Sequence, residues 1–261
     1  LAPHAFDLRF RALADVGAGQ FGIQRELQLL VVQLLADAEV ALRIRHQGLV
    51  QPVLVFRHRL AQAGDCGVEA RAVLALQLVG VTGTNGKTTI STLLRHLLQS
   101  DGSQWGLVGT VRYHLGRRSI PSYKTTPESA DLSGFFRQMV DAGCAGACLE
   151  VSSHALHQDR VHGFHFRVAA FTNLTRDHVD YHGDLASYLD AKTGLFDGRI
   201  GAVPDVCVIN IDDPAGRVLA EACRRRGTVI TFGIAADADV RATDLALDTG
   251  GAVFSVRFEG R

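Results

Sequence analysis

The stretch Val79-Gly80-Val81-Thr82-Gly83-Thr84-Asn85-Gly86-Lys87-Thr88-Thr89 holds the residue types that grip a phosphate. Gly83 and Gly86 let the backbone curl so that its N–H groups point at phosphate oxygens, and a helix opening behind them adds its partial positive charge. Lys87 has the reach for β- and γ-phosphates, and the Thr88 hydroxyl can ligate Mg²⁺. Position 81 is Val, so the spacing is shorter than GxxxxGK[ST]. The alternative is a Gly-rich turn with a chance Gly-Lys-Thr. The apolar strand pattern before the loop and the helical pattern after it argue for phosphate.

Three further sets of residues could serve such a loop. Glu150 ends an apolar run, where a carboxylate either completes an Mg²⁺ shell begun by Thr88 or faces solvent. Six histidines fall between 154 and 182: His154, His157, His162, His165, His178 and His182. No cysteine joins them and the segment reads as strand end and loop, so a zinc site is not expected. His178, beside Asp177, is a candidate for a second divalent ion. Lys192, Ser152, Gln158 and Arg160 read by themselves as a solvated surface lysine and loop residues.

The elements that must position these groups follow from periodicity. Strands are expected over 76–82, 106–111, 145–151, 168–173, 206–210 and 228–232, and helices over 87–99, 129–142, 184–197 and 214–226. Short buried strands alternating with helices predict an α/β fold, a mostly parallel P-loop-type sheet flanked by helices. The runs 240–247 and 252–258 flank Asp248-Thr249-Gly250-Gly251 and predict a small β-hairpin at the C-terminal end.

Residues 1–77 differ. The first 81 residues contain no Ser, Thr, Asn, Lys, Tyr, Trp or Met, where ordinary usage gives roughly a dozen or more. Residues 23–42 have an amphipathic helix pattern and 51–56 could be a strand. Either this is an unusual genuine domain, or a misframed stretch of GC-rich DNA that joins the true frame near residue 75. The second is the expectation. The domain division is 1–77 and 78–261.

The 27 basic residues balance 27 acidic ones, which argues against a nucleic-acid partner. Cys66, Cys144, Cys148, Cys207 and Cys223 are odd in number with no CxxC spacing. They read as reduced, buried thiols of a cytoplasmic protein. The most apolar run, 27–35, is interrupted by Gln28 and Gln33, so no membrane span is expected.

Several motifs resemble one family. TGTNGKTT at 82–89, TTPE at 125–128, EVSSHAL at 150–156 and FTNLTRDHVDYHGDLASYLDAKTGLF at 171–196 resemble the central domain of the Mur ligases. EVSSHAL and DHVDYHG are similar to the branch that adds the third amino acid. Sister ligases and folylpolyglutamate synthetase share the loop but differ there.

The resemblance implies a role for each matching residue. Gly83, Thr84, Asn85, Gly86, Lys87, Thr88 and Thr89 would hold ATP, with Asn210 and Asp212 of an NxDD turn nearby. Thr88 and Glu150 would hold one Mg²⁺ and His178 a second, helped by a carbamylated Lys192. Thr125, Thr126, Ser152, Gln158 and Arg160 would contact a UDP-muramoyl-dipeptide. The implied catalytic residues are Lys87, Lys192 and His178. The implied reaction is ATP-dependent amide formation between UDP-N-acetylmuramoyl-L-alanyl-D-glutamate and a diamino acid, meso-diaminopimelate or L-lysine, through an acyl phosphate, by a monomer.

The sequence departs from the pattern twice. The DSR, PG and LF signals of the family's uridine-binding domain are absent from 1–77, and the sequence stops at Arg261 ahead of a third domain. The chain as given is therefore expected to bind MgATP without ligating. The rival readings are a truncated or decayed copy that only binds MgATP, another Mur or folylpolyglutamate-type ligase, and a P-loop hydrolase or kinase.

Overall fold

A computed structural model describes residues 6–10, 76–100, 102–177, 179–235, 237–248 and 251–258. The expected helix over 23–42, the expected strand over 51–56, Cys66 and His178 lie outside the described residues. In chain order the strands are β1 (Phe6–Phe10), β2 (Gln77–Thr82), β3 (Trp105–Val108), β4 (Arg112–His114), β5 (Ser119–Pro121), β6 (Gly146–Glu150), β7 (Phe166–Phe171), β8 (Val206–Asn210), β9 (Thr228–Gly233), β10 (Val240–Asp248) and β11 (Gly251–Phe258). The helices are α1 (Lys87–Leu98), α2 (Ser129–Asp141), α3 (Ser153–His157), α4 (Val179–His182), α5 (Leu185–Thr193) and α6 (Pro214–Arg224).

The strands form one sheet in the order β1-β11-β10-β9-β8-β7-β2-β6-β3-β4-β5. Pairing is parallel from β3 to β9 and on to the start of β10. It is antiparallel at both margins, through β3–β4–β5 and β10–β11–β1. The predicted mostly parallel sheet with a terminal hairpin is what forms.

Alternation along the central strands sends side chains to two cores. Ala147, Leu149, Ala169, Phe171, Cys207 and Ile209 join α2 and α6 residues such as Phe136 and Leu219 on one face. Cys148, Val168, Ala170 and Val208 meet Ile90 and Leu94 of α1 on the other. Each fully buried Leu or Phe contributes about 2 kcal/mol, so both faces hold the strands in register.

Local chemistry sets the element ends. Asp184 caps α5 by accepting the Ser187 N–H at 2.7 Å. Asp213 caps α6 ahead of Pro214, accepting the Ala215 N–H at 2.8 Å. Three sequence expectations are corrected. The strand expected over 106–111 ends at Val108, because Gly109 and Thr110 turn toward Glu150 and the chain doubles back into β4 and β5. The helix expected to reach 197 ends at Thr193, where Gly194 caps it. The histidine segment is not wholly strand end and loop, since Ser152 caps α3 and Tyr181 and His182 sit in α4. Four cysteines, Cys144, Cys148, Cys207 and Cys223, are free and buried. Among the described residues no helix is long and apolar enough to cross a membrane.

Candidate active site

Strand order reverses around β2, which has β6 on one side and β7 on the other. In open α/β sheets such a switch point leaves a crevice at the carboxyl ends of the strands. The loop after β2 enters that crevice and is pinned to the end of β7. The Thr84 N–H donates to Asn173 O at 2.8 Å, the Asn85 N–H to Asn173 Oδ1 at 3.1 Å, and the Thr172 hydroxyl to Asn85 O at 2.6 Å. These two amides are therefore engaged by Asn173. Gly86, with φ of 87°, opens α1. The first helical turn behind it has no carbonyls of its own to bond.

Gly83 is required by space and conformation together. Its φ is 143°, and a Cβ there would lie 1.9 Å from Thr172 Oγ1. Its carbonyl takes two lysines, Lys87 Nζ at 2.8 Å and Lys192 Nζ at 2.9 Å. Lys87 Nζ also donates to Thr84 O at 2.8 Å. Burial lowers the Lys87 pKa, opposed by Glu150 and Asp177. Burial, then the charge of Lys87, pushes Lys192 down to about 6, opposed by Asp177. Lys192 is 1% exposed, which corrects its reading as a solvated surface lysine. It lies 4.2 Å from the centroid of the Tyr188 ring, while the Tyr188 hydroxyl donates to Thr84 Oγ1 at 3.3 Å.

Glu150, also 1% exposed, does not face solvent. Its Oε2 accepts the Thr88 hydroxyl at 2.8 Å and the Thr110 hydroxyl at 2.9 Å, and its Oε1 accepts the Thr110 N–H at 2.9 Å. Thr125 Oγ1 is 3.1 Å from Thr110 Oγ1. Thr126, fully buried, donates its hydroxyl to Glu150 O at 2.7 Å and accepts the Ser152 N–H at 3.0 Å. Arg160 donates from Nη1 to Thr126 O at 3.1 Å and from Nη2 to Gln158 Oε1. Its Nε lies 3.1 Å from Glu128 Oε1, at ion-pair distance but without hydrogen-bond alignment. Gln158 Nε2 donates to the Tyr181 hydroxyl at 2.8 Å. One chain of contacts thus runs from the loop through Glu150 to Thr125, Thr126, Ser152, Gln158 and Arg160.

Asn210 and Asp212 serve the backbone. Asn210 Nδ2 donates to Thr172 O at 2.8 Å and its Oδ1 accepts the Asp212 N–H at 3.0 Å. The Asp212 carboxylate accepts the Ile234 and Ala235 N–H groups at 2.7 and 2.8 Å. His154, His157 and His182 surround Tyr181, with ring centroids 4.1, 5.5 and 4.8 Å from it, the first tilted and the other two edge-on. His165 pairs with Asp205 at 3.0 Å. Beside α3 and α5 lies a cavity of about 700 Å³ whose lining includes His157, Tyr181, His182, Asp190 and Arg199.

Sequence reasoning missed Thr110 and Asn173. Both stand just past the carboxyl ends of parallel strands, the position where polar residues meet ligands, and that was the available signal.

A loop of this kind at the switch point of a parallel sheet, with a lysine, a hydroxyl and a buried carboxylate converging on it, defines a nucleotide-binding α/β domain. The Mur ligase middle domain family matches residues 81–261. A protein of Geobacillus kaustophilus described as UDP-N-acetylmuramoyl-L-alanyl-D-glutamate--2,6-diaminopimelate ligase is 44% identical over 184 residues, covering 69% of this chain and 37% of that protein. The protein of the same description from Bacillus licheniformis is 40% identical over 253 residues, 94% of this chain and 47% of that protein. A solved structure described as that ligase superposes with a TM-score of 0.61 at 33% identity, over 69% of this chain and 37% of that one. The chain belongs to the Mur ligase family. It spans under half the length of these relatives.

Proposed function

We propose that this chain carries the ATP-binding portion of a cytoplasmic, monomeric ligase that joins UDP-N-acetylmuramoyl-L-alanyl-D-glutamate to a diamino acid. The names of the relatives favour 2,6-diaminopimelate. The observation that carries the reading is the Thr88 hydroxyl on the Glu150 carboxylate at 2.8 Å, beside the half-buried Lys87 and the buried Lys192 on the Gly83 carbonyl.

The donor set fits MgATP. Gly86 to Thr89 would face the phosphates with the opening turn of α1, and Lys87 is the cation for the β- and γ-phosphates. Thr88 and Glu150 offer oxygen ligands of the kind Mg²⁺ prefers, and a bound ion would neutralise charge on the phosphates. Lys192, held largely as a free amine at neutral pH, is in the form that adds to carbon dioxide. The resulting carbamate would offer oxygens to a second Mg²⁺ together with His178. Asn210 and Asp212 support the nucleotide side by holding the turn after β8. Thr125, Thr126, Ser152, Gln158 and Arg160 would position the dipeptide.

In the proposed reaction the D-Glu γ-carboxylate attacks the γ-phosphorus and ADP leaves, giving an acyl phosphate. The incoming amine then attacks the carbonyl and phosphate leaves. Such chemistry asks the protein chiefly for positioning and charge neutralisation.

Residues 78–261 form the ATP-binding unit in this reading. The long alignment with the Bacillus licheniformis protein favours a divergent counterpart for residues 1–77 over a misframed one.

Equilibrium binding tests the proposal. MgATP should bind, and the loaded chain should then take the UDP-muramoyl-dipeptide in preference to a folate. A preference for the folate, or no nucleotide binding, would overturn it.

A further inference from the structure

We infer that Thr110 is the positioning residue that fixes the Glu150 carboxylate for a divalent cation and ties it to Thr125 on the dipeptide side. The inference rests on the reading of Thr88 and Glu150 as a metal pair. Thr110 grips both carboxylate oxygens, Oε1 through its N–H and Oε2 through its hydroxyl, each at 2.9 Å. One donor on each oxygen leaves the carboxylate plane no freedom to rotate. The single hydroxyl proton of Thr110 goes to the carboxylate, so the 3.1 Å contact with Thr125 Oγ1 is one in which Thr125 donates. A directed chain results: Thr125 to Thr110 to Glu150, with Thr88 donating to Oε2 from the loop. A change in how Thr125 is engaged would therefore reach the metal-facing carboxylate through one hydroxyl.

Gly109 makes the approach possible, since a Cβ there would stand 2.0 Å from Glu150 Oε1. The pair Gly109-Thr110 thus supplies first room, then two donors. Outer hydrogen bonds of this kind orient ligating carboxylates, and their loss costs about 10–100-fold in metal affinity.

The test uses the 261-residue chain and a fluorescent ATP analogue, titrated with MgCl₂ and separately in EDTA. Thr110→Val keeps the N–H and the shape but removes the hydroxyl, and Thr110→Ser keeps both donors. The valine variant should raise the Mg²⁺ concentration for half-maximal enhancement about tenfold with EDTA binding unchanged, and serine should restore it. Gly109→Ala, which crowds the other oxygen, should raise the Mg²⁺ requirement as well. An unchanged Mg²⁺ requirement in the valine variant would overturn the inference. Weakening that is equal in Mg²⁺ and in EDTA would also overturn it, because that is what general loosening produces. Absence of nucleotide binding by the unsubstituted chain would remove the reading of the site and the inference together.

Discussion

Two concave regions of this molecule differ in how they are built. The crevice after β2 holds the buried Glu150 and Lys192 and the half-buried Lys87, each bonded to backbone or hydroxyl partners at 2.8–2.9 Å. The cavity beside α3 and α5, at about 700 Å³, is lined by the edge-on rings of His157, Tyr181 and His182 and by the ion pair of Arg199 with Asp190, whose side chains are 47% and 70% exposed. Size and a cluster of histidines make the second conspicuous. Desolvated polar groups with assigned partners distinguish the first; such groups are costly to hold out of water and cluster at functional sites, which is the basis of the proposed nucleotide site.

Removing Lys87 should break this contrast most severely. Lys87→Ala is expected to weaken ATP binding by about 30- to 150-fold, the scale of losing about two to three kcal/mol of charge-assisted contact, as titration calorimetry would read. Near-normal binding would move the nucleotide elsewhere. Gly83→Ala comes next. A Cβ 1.9 Å from Thr172 Oγ1 at φ 143° should cost about 1–3 kcal/mol of stability and disorder the loop, checked by urea unfolding and ATP binding.

Lys192 sharpens the comparison through pH. Its folded pKa is about 6 against an ordinary 10.5. Between those values the unfolded chain binds a proton that the folded chain does not, so the Lys192 contribution makes stability rise with pH across that window. Urea unfolding at pH 6.5 and 9, in buffers purged of carbon dioxide, should show this rise, and Lys192→Met should flatten it. An equal slope in both proteins would contradict the assignment. The smallest effect is expected in the cavity. Arg199→Ala removes exposed ion pairs, each worth about 0–1 kcal/mol, and should leave ATP affinity unchanged.

The sheet was legible because apolar periodicity is a local property, and β8 falls on its expected residues, 206–210. The phosphate loop was legible because its residues are contiguous. Lys192 was not legible from its helix, since its burial depends on contact with Gly83, far away in sequence. Only the resemblance singled it out. Thr110 escaped notice because Gly109-Thr110 gains meaning only when β3 and β6 lie side by side. The histidine segment misled in another way. The segment read as strand end and loop, whereas His154 and His157 lie in α3 and His182 in α4, gathered around the Tyr181 ring.

The most direct measurement is a crystal structure of the chain grown with MgADP. The account predicts the β-phosphate against the amides of Gly86 to Thr89, with Mg²⁺ on the Thr88 hydroxyl beside Glu150. A nucleotide seated instead among His157, Tyr181 and Arg199 would contradict it.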